Sequence, residues 1–373
     1  MNSASRERSE PAVGGTPTVA DPERRWEPRR AGRSAGDWAK TSYYGLPVVH
    51  KPHWKLLIIS YFFLGGIASG SYAIASVAEL VGGADGRRIT RAGRFVALAA
   101  LLPCPLLLIL DLGRPERFLH MLRVLKLRSP MSLGIWGLTL FGGCCALSAL
   151  GEAARAGLLG ERTAPARFGR SVPSRLAGAL GTLPALFVGG YAGVLLAATA
   201  VPLWTKSHLL LGPLFLASAF SSAAAAIALV LAAARGTPRE TLARLEHLDA
   251  LALLAELGLL VALRANLGPT LARPLRRGRL GQIHRLTVGA LLAPLALHGR
   301  ALLRGAPPGR GETAAAALSV LAGGYLVRYV LVMAGRASAD DPHATFALTR
   351  GPHAPATPSP PSDPAHAGQL CSG

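Results

Sequence analysis

The sequence predicts an all-α integral membrane protein, a bundle of about eight transmembrane helices arranged as two four-helix bundles between disordered termini. Three observations carry this. Half of the 373 residues are hydrophobic, 16% are charged and the mean hydropathy is +0.35, a balance far from that of a soluble globular chain. Apolar segments recur at residues 56–81, 95–110, 132–150, 178–200, 209–232, 244–263, 286–303 and 314–334, each near the ~20 residues a helix needs to cross a bilayer. The 40 Lys and Arg against 20 Asp and Glu give a formal net charge of +20, but these charges punctuate the apolar runs instead of forming one basic patch. That distribution fits a lipid bilayer better than a nucleic-acid partner.

Residues 1–52 are rich in Arg, Glu, Pro, Gly and Ser and lack apolar periodicity, so burial cannot offset the entropy of ordering them. A disordered arm is expected there. Arg24-Arg25 and Arg29-Arg30 suggest an export signal, yet the first apolar run begins only near Leu56 and is too long for one. The first helix is expected to stay as an anchor. Residues 53–339 form the membrane domain, and after Asp340-Asp341-Pro342 the Pro- and His-rich tail of residues 340–373 is expected to be disordered. The location expected is the cell membrane, as a multi-pass protein of a bacterial inner membrane.

Gly66 and Gly70 are four apart and share one helix face, as do Gly189 and Gly193, which suits close helix packing. Thr237, Pro238 and Glu240 read as a capping box, with Thr237 at the N-cap of the sixth span. Lys and Arg are nearly equal in number on the two sides, so charge sets no orientation. The four cysteines, Cys104, Cys144, Cys145 and Cys371, contain no CxxC pair and no spacing suited to zinc or an iron–sulfur cluster. Any such cluster belongs to a partner.

Four ionisable residues, Glu79, Asp249, Glu256 and Arg328, fall within or at the edges of spans. A charge in hydrocarbon costs at least ~2.5–3.5 kcal/mol on insertion scales, so each is expected to face the bundle interior. Asp249 and Glu256 are seven apart and lie on one stripe of their helix. Two readings stay open: a proton path through Asp249, Glu256 and Arg328, or a Glu256–Arg328 ion pair that fixes helix register. His53 and Trp54 stand at the start of the first span, where Trp anchoring is ordinary and a His can exchange a proton with a quinol hydroxyl. His284 and His298 lie fourteen apart on one helix, which does not place two axial ligands on opposite sides of a haem iron.

Between the second and third apolar runs stands DLGRPERFLHMLRVLKLRSPMSLG, residues Asp111 to Gly134. Asp111 and Arg114 are close enough for a local ion pair, and Pro115 opens a short helix whose Arg117, His120, Arg123 and Lys126 suit headgroups or a docked protein. This stretch, together with YFFLGGIASGSY in the first span and GGYLVRYVLVMAGRASADDP at the last, resembles the membrane subunits of polysulfide reductase and the NrfD family. The likeness covers residues 53–342.

The resemblance implies a subunit with no haem or metal of its own. It implies electron exchange between membrane quinone, menaquinone or ubiquinone, and a ferredoxin-like iron–sulfur subunit that serves a molybdopterin-dependent catalytic subunit. It also implies a quinone pocket at the end of the first four helices that bears the 111–131 loop. His53, Asp111 and Glu79 are then the candidate acid–base groups, and Arg114, Arg117 and His120 the candidate pocket or docking residues. The rival from another class is a secondary transporter, in which buried charges bind solute and repeated halves alternate access.

Overall fold

The computed structural model describes residue 49 and residues 52–345, except 115, 117, 161–162, 172–173, 235, 306–308 and 342–343. The expected arm over 1–52 and tail over 340–373 fall almost wholly outside the described residues, and Arg117 lies outside them too.

Among the described residues the chain is helical, with α1 (Leu56–Val81), α2 (Gly83–Leu101), α3 (Pro103–Asp111), α4 (Phe118–Arg123), α5 (Pro130–Arg155), α6 (Ala164–Ser171) and α7 (Ser174–Ala197), then α8 (Pro202–Lys206), α9 (His208–Ala233), α10 (Arg239–Leu271), α11 (Arg273–Arg276), α12 (Gly278–Arg304) and α13 (Arg310–Ala339). Seven helices there are long and apolar enough to cross a membrane: α1, α2 with α3, α5, α7, α9, α12 and α13. The eighth expected segment, 244–263, is helical but is not among these seven. It lies on α10, which runs unbroken only as far as a kink at Gly268 (φ 67°) before Pro269, and there Glu246, Asp249 and Glu256 interrupt its apolar run. All three are buried, while Leu251, Leu254 and Val261 on the same helix are exposed. The helix is therefore apolar toward lipid and charged toward the interior, which whole-segment hydropathy does not separate.

The long helices form two closed rings of neighbours. In the first, α1 touches α2, α2 touches α5, α5 touches α7 and α7 returns to α1; in the second, α9, α10, α12 and α13 close in the same way. The rings meet where α1 and α7 pack on α9. Glycine makes that seam possible. A Cβ on Gly70 would stand 2.5 Å from the Ala219 carbonyl oxygen, and one on Gly66 would stand 2.5 Å from Nη2 of Arg328, so the four-residue spacing seen in the sequence does serve close packing.

Two helix boundaries follow from proline and capping chemistry. The second span breaks at Leu102, just before Pro103 and Pro105, which lack the N–H groups needed for an unbroken ladder. Ser129 caps α5, its hydroxyl accepting from the Ser132 N–H at 3.4 Å, with Pro130 at the first helical position. The cap expected at Thr237 is not formed: the α10 N-cap is Pro238. The Thr237 hydroxyl instead donates to the Ala234 carbonyl at 3.3 Å, and the Thr237 carbonyl accepts from Arg310.

Candidate functional site

The first bundle holds a cavity of about 640 Å³ at the end where α1 begins. Its walls come from the segment before α1, from α1 itself, from the proline-interrupted second span, from α4, α5 and α7. Most of the lining is apolar, as with Ile58, Phe62, Leu108 and Leu138, and the volume lies in the range of small-molecule and cofactor sites. His53 and Asp111 both line it. Residues 58 apart in sequence meet because α1 starts, and the second span ends, on the same side of the bundle.

His53 precedes α1, next to the anchored Trp54. The Trp54 carbonyl accepts from Nη1 of Arg336 at 2.7 Å, and the Trp54 ring stacks on Trp204 with centroids 5.6 Å apart. Trp204 is in turn fixed by an indole N–H donated to the Leu331 carbonyl at 2.9 Å. The second bundle, through α8 and α13, therefore holds one wall of a cavity in the first.

Asp111 and Arg114 form no ion pair among the described residues, against the expectation of a local pair: Asp111 turns to the cavity and Arg114 is exposed. His120 is exposed on α4, whereas Phe118, Met121 and Leu122 of the same stretch line the cavity. Glu79 is not brought to this cavity. It lies near the far end of α1, where it pairs with Arg94 at 3.3 Å. Arg94 is 1% exposed and its guanidinium carbon sits 4.0 Å from the centroid of the Tyr72 ring. Tyr72 then shares a 2.8 Å hydrogen bond with Ser148.

Sequence reasoning did not single out the two tyrosines that line the cavity. Tyr61 is 7% exposed, and Tyr191 donates its hydroxyl to the Pro130 carbonyl, bracing the start of α5. Neither residue stood out in a sequence because aromatic residues in spans are ordinary.

A second group of polar side chains fills the other bundle. Asp249 of α10 meets Nε2 of His298 on α12 at 3.0 Å, and Nδ1 of the same ring lies 3.6 Å from Glu246. Glu246 also accepts from the Thr313 hydroxyl at 2.6 Å. Further along α10, fully buried Glu256 accepts from Ser221 at 2.9 Å. Arg328, 1% exposed, donates to Ser218 at 2.8 Å, to the Gly324 carbonyl at 2.7 Å and to the Phe62 carbonyl at 3.1 Å. Glu256 and Arg328 make no direct ion pair among the described residues: serines of α9 hydrogen-bond to each of them. The shared stripe of Asp249 and Glu256 was legible in their spacing, whereas Glu246 joins them only through His298, whose role depends on α12 lying beside α10. Among the described residues no three His, Cys, Asp or Glu side chains are grouped to hold a metal ion.

With this geometry in place, similarity to known proteins gives the family. The profile of polysulphide reductase, NrfD, matches residues 49–339, most of the chain. The chain belongs to the NrfD family. It is thereby a multi-pass membrane subunit of the kind found in oxidoreductase complexes. A similar curated protein is one of the subunits of the selenate reductase of Mesobacillus selenatarsenatis, 31% identical over 83 residues, which make up 22% of this chain and 19% of that relative. The match spans about a fifth of that protein. The matched region of the NrfD family runs from just before His53 to the end of α13 and so contains both the cavity and the buried polar groups.

Proposed function

We propose that this NrfD-family chain is the quinone- or quinol-reactive membrane subunit of a multi-subunit oxidoreductase in a cell membrane. It passes electrons between membrane quinone and a ferredoxin-like iron–sulfur partner, which serves a molybdopterin-dependent catalytic subunit. In this reading residues 53–339 are the working domain, flanked by an arm and a tail.

The observation that carries the proposal is the mostly apolar cavity with His53 and Asp111 on its wall. Quinol oxidation removes two electrons and two protons, so it needs an acid–base group within hydrogen-bond reach and an electron acceptor nearby. His53 and Asp111 supply the first requirement. The 111–130 connection, with exposed Arg114 and His120 beside the cavity, is the surface offered to the partner.

The test is to purify the chain with its partner subunits and follow quinol-dependent reduction of the partner's clusters. Loss of about 10²-fold or more is expected in His53→Ala and Asp111→Ala, the scale of a missing general acid–base group. Unchanged rates in both variants would remove the assignment. An isolated chain that carried a solute across vesicles would favour the transporter reading instead.

A further inference from the structure

We infer that the α10–α11–α12 connection is a binding site for an anionic phospholipid, whose phosphate meets a set of exposed arginines and whose acyl chains lie on the outer faces of α10 and α12. The site is separate from the cavity and does not depend on the quinone reading.

The charge there is one-sided. From residue 257 to residue 311 the chain contains no Asp or Glu. Arg264, Arg273, Arg276, Arg277, Arg279 and Arg285 all fall between Glu256 and Leu286, and all six are exposed. Their guanidinium groups form no ion pair or hydrogen bond among the described residues. The other end of α12 is different: Arg304 pairs with Glu312 at 3.3 Å, and Arg310 donates to the Thr237 carbonyl at 3.4 Å. Like charges crowded on one connection repel, and an anion among them relieves the repulsion.

The backbone holds these arginines at the membrane surface. α10 kinks at Gly268, with φ 67° ahead of Pro269, and α12 starts at Gly278, with φ 68°. Leu267, Leu271, Ala272 and Leu275 around these turns are buried, so the connection is pinned to the bundle with its arginines turned outward. Asn266 donates to the Lys206 carbonyl at 2.8 Å, which ties the connection to α8. That helix carries the Trp204 stacked on Trp54 at the start of α1, so the connection lies at headgroup depth on the cavity side. Arg277 and Arg279 sit at the N-terminus of α12, whose N-cap makes no side-chain hydrogen bond. A helix start already carries partial positive charge, so cations there are disfavoured until an anion joins them.

Exposed apolar residues continue the site into hydrocarbon. On α10, Leu254 and Val261 are seven apart and Val261 and Arg264 three apart, so all three exposed residues share one stripe. On α12, exposed Arg279 and Leu286 are seven apart and share another. Each stripe is apolar within the membrane and cationic at its end, the profile of a phospholipid molecule. The guanidinium fork suits phosphate oxygens. An acidic protein face would meet the arginines but could not enter hydrocarbon to cover Val261 and Leu286, which are 70% and 67% exposed.

The test uses the full chain in detergent, incubated with equal amounts of phosphatidylglycerol and phosphatidylcholine and read by native mass spectrometry. Retention of phosphatidylglycerol about 10-fold or more above phosphatidylcholine is expected. The combined variant Arg276→Gln, Arg277→Gln and Arg279→Gln should abolish most of that preference, and Lys at the same three positions should restore part of it. Arg300→Gln with Arg304→Gln, at the other end of α12, should leave it unchanged. If the triple variant does not fold, Arg277→Gln and Arg279→Gln taken singly carry the test, each with a smaller loss.

Equal retention of the two lipids overturns the site, as does an equal loss in the Arg300 and Arg304 variant, which would mean that overall charge alone is sensed. Loss of the iron–sulfur partner from the triple variant, with the lipid preference intact, would assign the surface to that partner and overturn the site too. The readout involves no turnover, so a failure of the quinone reading leaves it standing.

Discussion

The two bundles have the same ring of four neighbours and opposite interiors. The first encloses a cavity lined mostly by apolar side chains, with His53 and Asp111 on its wall; the second encloses carboxylates held by a histidine, a threonine or a serine, and an arginine held by another serine and by carbonyls. Each also buries an arginine, but Arg94 is paired directly with Glu79 and covered by Tyr72, whereas Arg328 is held by carbonyls and a serine. The difference shows that helix topology decides which residues meet, and side-chain size and polarity decide whether the meeting place is a hole or a network. Large aromatic and proline-broken walls prop the first bundle open. Small alanines and serines of α9 let the second close around its charges.

The comparison can be broken or sharpened by substitution. The largest effect is expected in Arg328→Leu, which leaves Glu256 buried without a nearby positive charge; removing one member of a buried charged set costs about 3–5 kcal/mol. Thermal unfolding in detergent should show it, and the double change Arg328→Leu with Glu256→Gln should recover part of the loss. If the single variant is as stable as the parent, the second bundle does not depend on its charges.

Next comes activity in the first bundle. The 10²-fold losses expected for His53→Ala and Asp111→Ala correspond to about 2.7 kcal/mol in transition-state stabilisation, and should leave thermal stability close to that of the parent because both residues border the cavity. A stability loss as large as that of Arg328→Leu would mean that the cavity residues are structural.

A smaller change in stability tests the seam. Gly70→Val would push a side chain into the Ala219 carbonyl and the Ala223 methyl, and overpacking of this kind costs about 1–3 kcal/mol. The expected readout is a lower unfolding temperature with cavity and polar network both disturbed, since α1 contributes to each. The smallest effect belongs to Arg114→Ala and His120→Ala, exposed residues whose replacement should change stability by no more than about 0.5 kcal/mol, while weakening association with the iron–sulfur partner in a pull-down. Association equal to that of the parent would remove them from the docking surface.

The all-helical membrane fold was legible in the sequence because the hydrocarbon core demands a fixed length of apolar helix, and seven segments met that demand outright. The eighth was legible only as a position, since its inward charges and outward leucines average out along the chain. Among site residues, His53 and Asp111 were visible as polar groups at span ends on one side of the bundle. Glu79 was visible too, but its direction was not: Arg94 at 3.3 Å ties it into a different cluster, and a one-dimensional reading cannot see which neighbour a helix face will meet. His298 was visible as a histidine and invisible as a bridge, because its partners come from another helix.

The sequence by itself determined the membrane class, the order of the helices, the glycine faces that allow α1 and α9 to approach and the stripe of carboxylates on α10. These depend on hydropathy and on periodicity, which are local properties of the chain. Only the tertiary structure decided that the walls of one bundle leave a cavity of about 640 Å³, that His53 and Asp111 share it, and that Arg328 spans from Ser218 of α9 to the Phe62 carbonyl. Those depend on which helices become neighbours. That choice is made by packing between residues as much as 282 positions apart, beyond the reach of any local pattern.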